Sequence, residues 1–225
     1  MNNKNCLLCG VGGQGTVLAS KLIAFAAMEK GMDVRTAETI GMAQRGGCVV
    51  SHVRIGENIA SPLVPKGSAD VIIAFEPAEA VRCISYLKKG GTVIVNSKAV
   101  KPVTSSLGGT YTDGREMTDY LSSLDADIHV IDGEKICEEI GSPKVLNIVL
   151  LAAAAKSGAL GITADELKNA IEKRVNPKFL EMNFKAVDIA AARIVKRRHR
   201  KIGAAVLLFK AYISQQYKLS SSSVP

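Results

Sequence analysis

Gly10-Val-Gly-Gly-Gln-Gly-Thr16 spaces its glycines as an anion-binding turn does. Gly10, Gly12 and Gly15 follow a short apolar run and precede residues with helical spacing. Glycines there permit a tight turn, and they let backbone N–H groups approach a phosphate at the helix N-terminus. Gly13, Gln14 and Thr16 complete the turn, with Gln14 at a position directly against such a ligand. Glu38 follows at about the distance where an acid would bind a ribose. The same glycines also serve simple strand–helix packing, and these residues alone leave the two readings level. A second loop, Gly41-Met-Ala-Gln-Arg-Gly-Gly47, places Gln44, Arg45, Gly46 and Gly47 near the same crevice. Arg45 carries a fixed positive fork suited to phosphate or carboxylate. Its plainer role is a salt bridge to an acid such as Glu38.

Other reactive side chains carry less. Cys6, Cys9, Cys48, Cys83 and Cys137 are odd in number and scattered. They form neither a disulfide framework nor a cluster-binding run. Cys6 and Cys9 have metal-ligand spacing, but on a strand they point to opposite faces. Buried structural thiols are the expectation. His52 could face a cleft and move a proton. A lone strand histidine is more often structural, and His129 reads the same way. His199 belongs to the tail.

The elements that must position these residues alternate. Strands are expected at Asn5–Cys9, Val34–Glu38, Cys48–Ile55, Asp70–Phe75, Thr92–Asn96 and Ile128–Ile131, from period-two alternation or continuous apolar runs. Helices are expected at Thr16–Lys30, Pro77–Lys88 (ended by Gly90-Gly91), Met117–Leu124, Gly133–Ile140, Lys144–Lys156, about 163–173 and Lys178 to about Arg198. Ile59 is a candidate start for a short return strand. Thr163-Ala-Asp-Glu166 has the pattern of a reciprocal helix cap. Strands alternating with helices predict an α/β fold with a mostly parallel sheet covered by helices, followed by C-terminal helices. Cys48–Ile55 follows the second strand with no helix between, so the sheet should be mixed.

Composition narrows the function classes. The chain has 225 residues, 47% hydrophobic, with 4% aromatics and no Trp. That suits a packed core and argues against a stacking surface for sugars or bases. The net charge of +8 is uneven. Residues 1–192 balance 21 Lys and Arg against 21 Asp and Glu, whereas 193–225 hold eight basic residues and no acid. A folded unit over 1–192 and a basic tail over 193–225 are therefore expected, with no nucleic-acid interface on the body. The tail, with Lys196-Arg-Arg-His-Arg-Lys201, reads as a solvated helix end running into a partner-facing helix, ahead of a membrane or nucleic-acid arm. No apolar stretch reaches the ~20 residues a membrane span needs, and the polar start has no secretory pattern. A cytoplasmic protein without membrane partners is expected.

Gly10-Val-Gly-Gly-Gln-Gly-Thr16, Ala37-Glu-Thr-Ile-Gly-Met-Ala-Gln-Arg-Gly-Gly47 and Val50-Ser-His-Val-Arg-Ile-Gly56 together resemble the γ-type domain of 2-oxoacid:ferredoxin oxidoreductases. Within that family the sequence is most similar to the separate β-subunit type of the indolepyruvate enzymes, over roughly residues 5–190. The resemblance implies a Rossmann-like three-layer α/β sandwich, in an enzyme subunit that is inactive alone. A large α-type partner would hold thiamine diphosphate and the iron–sulfur clusters. The complex would decarboxylate an aryl 2-oxoacid, reduce ferredoxin and form an acyl-coenzyme A. This chain would hold no cofactor itself and would lie beside the active site, near coenzyme A. An independent NAD(P)-binding oxidoreductase and a non-catalytic assembly scaffold are the alternatives.

Overall fold

A computed structural model describes residues 3–40, 47–100 and 114–193. Strand β1 (Lys4–Val11) runs through the middle of a six-stranded sheet. Leu7 and Leu8 are both fully buried, so each face of β1 is covered. The sheet order is β2 (Val34–Ile40), β3 (Cys48–Ile55), β1, β4 (Ala69–Ala74), β5 (Leu87–Asn96), β6 (Asp127–Ile131). β3 is antiparallel to both β1 and β2, while β1, β4, β5 and β6 are mutually parallel. The mixed sheet expected from the sequence is present.

Period two divides the core cleanly. One face presents Cys6, Leu8, Val53, Val71, Ile73 and Ile94 to α1 (Thr16–Glu29), α4 (Gly133–Ile140), α5 (Leu146–Ser157), α6 (Ala164–Arg174) and α7 (Leu180–Arg193). The other presents Leu7, Cys9, Ile72, Ala74, Val93 and Val95 to α2 (Pro77–Cys83) and α3 (Arg115–Ser122). Three layers result, with Cys6 and Cys9 on opposite faces as the sequence spacing requires. Helix α5 is buried from Asn147 to Ala155 and packs on the sheet and on α1, α4, α6 and α7. Its all-round apolarity reflects that central position. Helix α6 opens on the expected cap. Thr163 Oγ1 accepts from Glu166 N at 3.2 Å, and Glu166 Oε2 accepts from Thr163 N at 2.8 Å.

Three expectations need correction. Helix α2 stops at Cys83, not Lys88, and a single 3-10 turn (Ile84–Tyr86) leads straight into β5. Gly90-Gly91 is not a helix stop. It lies inside β5, in a bulge where the pairing jumps from Ala69–Leu87 to Val71–Thr92. A bulge uses the same glycine freedom as a helix stop, so the two share a sequence signature. No strand forms at Ile59. The basic tail, apart from Arg193 at the end of α7, lies outside the described residues. Among the described residues, no helix is long and apolar enough to cross a membrane.

Candidate functional site

The parallel strands deliver their loops to one edge of the sheet. β1 leads into α1 on one face, and β4 leads into α2 on the other. The chain therefore diverges between the carboxyl ends of β1 and β4, the place where open α/β sheets form a ligand crevice. The glycine turn and Phe75-Glu76 form its two sides.

Gly10 is still within β1. A Cβ there would sit 2.7 Å from Gln14 Oε1 and 2.8 Å from the Phe75 Cβ. The close approach of β1, the turn and the end of β4 thus depends on a missing side chain. Gln14 fastens the turn. Its Oε1 accepts from Val11 N at 2.8 Å, and its Nε2 donates to the Phe75 carbonyl at 3.2 Å. Its amide therefore bonds the fold's own backbone at both ends. Gly12 N donates to the Gly47 carbonyl at 2.9 Å, tying the turn to the end of the second glycine loop. Gly13 has open space where a side chain would be. Gly15 caps α1 in the left-handed region (φ 83), and among the described residues no side chain bonds the first-turn N–H groups of that helix. No acidic residue lies in that turn either. An open N-terminus with free donors and the positive end of the helix dipole attracts an anion.

Glu38 lies elsewhere. It is exposed on the edge strand β2, and its Oε1 accepts from Ser20 Oγ at 3.3 Å. β3 separates β2 from β1, so Glu38 stands about two strand spacings, ~10 Å, from β1. In a dinucleotide fold the ribose acid comes from a strand next to β1. That order differs here, and the dinucleotide alternative loses its second anchor. Gln44, Arg45 and Gly46 lie outside the described residues. Gly47 is the described end of their loop.

The crevice continues toward β5. Asn96, 3% exposed, donates from Nδ2 to the same Phe75 carbonyl at 3.4 Å and accepts from Gly133 N at 3.2 Å. Beside it lies an open cavity of about 380 Å³, bounded by Asn96, Cys137, Pro143 and Leu146, with Lys98 and Glu134 paired at its wall. Sequence reading did not single out this cavity. It is built from the ends of β5 and α4 and the start of α5, which no local pattern brings together.

His52 takes the structural role. Its Nδ1 accepts from Val64 N at 3.1 Å, and its ring packs edge-on against Tyr86 at 6.0 Å. Burial lowers its pKa from the ordinary 6.5. The neutral ring is what the fold binds, so the unfolded chain takes up the proton more readily. Stability is therefore full above about pH 6.5 and falls as the pH drops toward the lowered value. His52→Gln should flatten that slope in urea unfolding followed from pH 7 to 5. An unchanged slope would place the pH dependence on other groups. His129 is buried beside Asp127, 3.0 Å away. Cys9, Cys48 and Cys83 gather on the α2 face near Glu79. Cys48 departs from the buried thiols expected: it is exposed at the start of β3, and partial desolvation and then the Glu79 carboxylate push its pKa up to about 12. Among the described residues, no group of three His, Cys, Asp or Glu side chains is placed to hold a metal ion.

A family model described as pyruvate ferredoxin/flavodoxin oxidoreductase matches residues 5–193. The chain is 38% identical to indolepyruvate oxidoreductase subunit IorB of Pyrococcus horikoshii, over 84% of this chain and 95% of that one. It is 36% identical to the protein of that name from Archaeoglobus fulgidus, over 86% and 96%. The crystal structure of pyruvate oxidoreductase subunit PORC from Thermotoga maritima superposes with a TM-score of 0.64 at 22% identity, over 85% of this chain and 97% of that one. At that identity the likeness speaks for the fold.

Proposed function

The chain belongs to the pyruvate ferredoxin/flavodoxin oxidoreductase family, and from that membership we propose that it is the β subunit of an indolepyruvate-type 2-oxoacid:ferredoxin oxidoreductase. It is a subunit of an oxidoreductase. The complex it serves oxidatively decarboxylates an aryl 2-oxoacid in the cytoplasm, reduces ferredoxin and releases an acyl-coenzyme A. A large α-type subunit holds thiamine diphosphate and the iron–sulfur clusters, which supply the carbanion chemistry and the electron path. This chain contributes one wall of the coenzyme A approach.

The observation that carries this reading is the open N-terminus of α1 within a chain whose match covers 95% of its named relative. Gly10, Gly12, Gly13, Gln14, Gly15 and Thr16 form the turn. Gln14 serves there as its latch, and the backbone N–H groups face the phosphate. Gln44, Arg45, Gly46 and Gly47 would supply the opposing wall, with Arg45 as its cation, whereas Glu38 stands apart from it on the edge strand. A non-catalytic scaffold would use the same turn for packing alone, and it leaves the free donors of α1 without a purpose.

Arg45→Ala separates the two. In the complex reconstituted with the large subunit, the variant should fold normally. It should raise the KM for coenzyme A by roughly tenfold or more, the worth of one charge-assisted contact. Unchanged turnover at limiting coenzyme A would remove Arg45 from the site.

A further inference from the structure

Cys9 and Cys83 are partners across the α2 face of the sheet. Cys9 lies on β1 immediately before Gly10, and Cys83 is the last residue of α2. Both belong to the same buried cluster, and their thiols share a hydrogen bond. That bond makes the pair unequal. It lowers the pKa of Cys83 from the ordinary 9.0, and together with burial it raises that of Cys9. Cys9 is fully buried, so Cys83, at 5% exposed, has the pair's contact with solvent. Glu79 stands one turn earlier on α2 and is 2% exposed. Its Oε1 pairs with Arg82, whereas its Oε2 is buried with no partner among the described residues. A buried carboxylate oxygen left unpaired is uncommon in a native fold and calls for an explanation. Here it sits where its charge acts on both thiols.

We propose that Cys9 and Cys83 form a redox-active dithiol that reacts with low-molecular-weight disulfides, with Glu79 as its proton acceptor. The thiolate is the nucleophile in such exchange, and the reaction passes through a mixed disulfide. Cys83 gives up its proton and attacks one sulfur of the small disulfide. A mixed disulfide forms on Cys83, and the first small thiolate leaves and takes up that proton. The Cys9 thiol then passes its proton to Glu79 Oε2 while its sulfur attacks Cys83 Sγ. The Cys9–Cys83 bond forms, and the second small thiolate leaves with the proton from Glu79. Two protein thiols are oxidised, and one small disulfide is reduced to two thiols. A thiol as buried as Cys9 has no water to receive its proton, which gives the unpaired carboxylate oxygen its use. Cys48 is exposed but holds its proton at neutral pH, its pKa being about 12, so it stands outside the exchange. The new bond would tie β1, just ahead of the glycine turn, to the end of α2, the helix that follows Phe75-Glu76. Oxidation would therefore fasten the two sides of the crevice to each other.

The test uses the full chain, alone and in complex with its large partner. Each is equilibrated without oxygen in mixtures of 2-hydroxyethyl disulfide and 2-mercaptoethanol, then alkylated and mapped by mass spectrometry without reduction. The expected product is one internal disulfide joining the peptides of Cys9 and Cys83, in the wild type and in Cys48→Ser alike. Cys9→Ser should stop at a mixed disulfide on Cys83. Glu79→Gln should close roughly tenfold or more slowly at pH 7, with the mixed disulfide accumulating, because only the second step needs the base. Closure of Glu79→Gln at the wild-type rate would remove Glu79 from the exchange. The wild-type map decides the dithiol without any variant. Reduced Cys9 and Cys83 throughout the series, or a crosslink to Cys48 in place of either, would overturn the proposal.

Discussion

Replacing Gly10 with alanine is expected to cost roughly 3 kcal/mol of stability, the upper part of the usual range for overpacking a tight site. The added carbon meets the Gln14 amide oxygen at 2.7 Å and the Phe75 Cβ at 2.8 Å. The Gln14 side chain can move, but only by giving up its bonds to Val11 N and the Phe75 carbonyl. The Phe75 Cβ cannot withdraw, because its fully buried ring is fixed in the core. The strain therefore falls on the turn itself, and ligand affinity should drop with stability. Urea unfolding checks the first effect and coenzyme A titration the second. A loss under about 0.5 kcal/mol, the level of an ordinary surface change, would mean that the turn yields freely.

Leu150→Ala should cost still more, about 3–5 kcal/mol, as large-to-small changes do at sites that cannot collapse. Leu150 is fully buried in α5, the helix that touches the sheet and four other helices. Its neighbours on several elements would have to shift together to fill the space. A denaturation midpoint near wild type would show that the interior repacks around the gap.

The alternating strands and helices, the mixed sheet and the reciprocal cap on α6 were legible from local pattern, because each follows from the spacing of apolar residues or a four-residue signature. Gly90-Gly91 misled because a bulge and a helix stop ask for the same residue. The insertion of β3 between β1 and β2 was not legible, since strand order is decided by long-range pairing. That order moves Glu38 out to the sheet edge. Gln14 was read as facing a ligand. Its side chain instead turns inward, because two backbone groups at the crossing of β1 and β4 need partners.

The central claim is that this chain completes a two-subunit oxidoreductase. The most direct measurement co-purifies it with its large partner. It then follows dye reduction driven by an aryl 2-oxoacid and coenzyme A, with each chain alone and with both. The account predicts a stable complex and reduction only when both chains and coenzyme A are present. Full activity of the large subunit alone, or no association between the two, would contradict it.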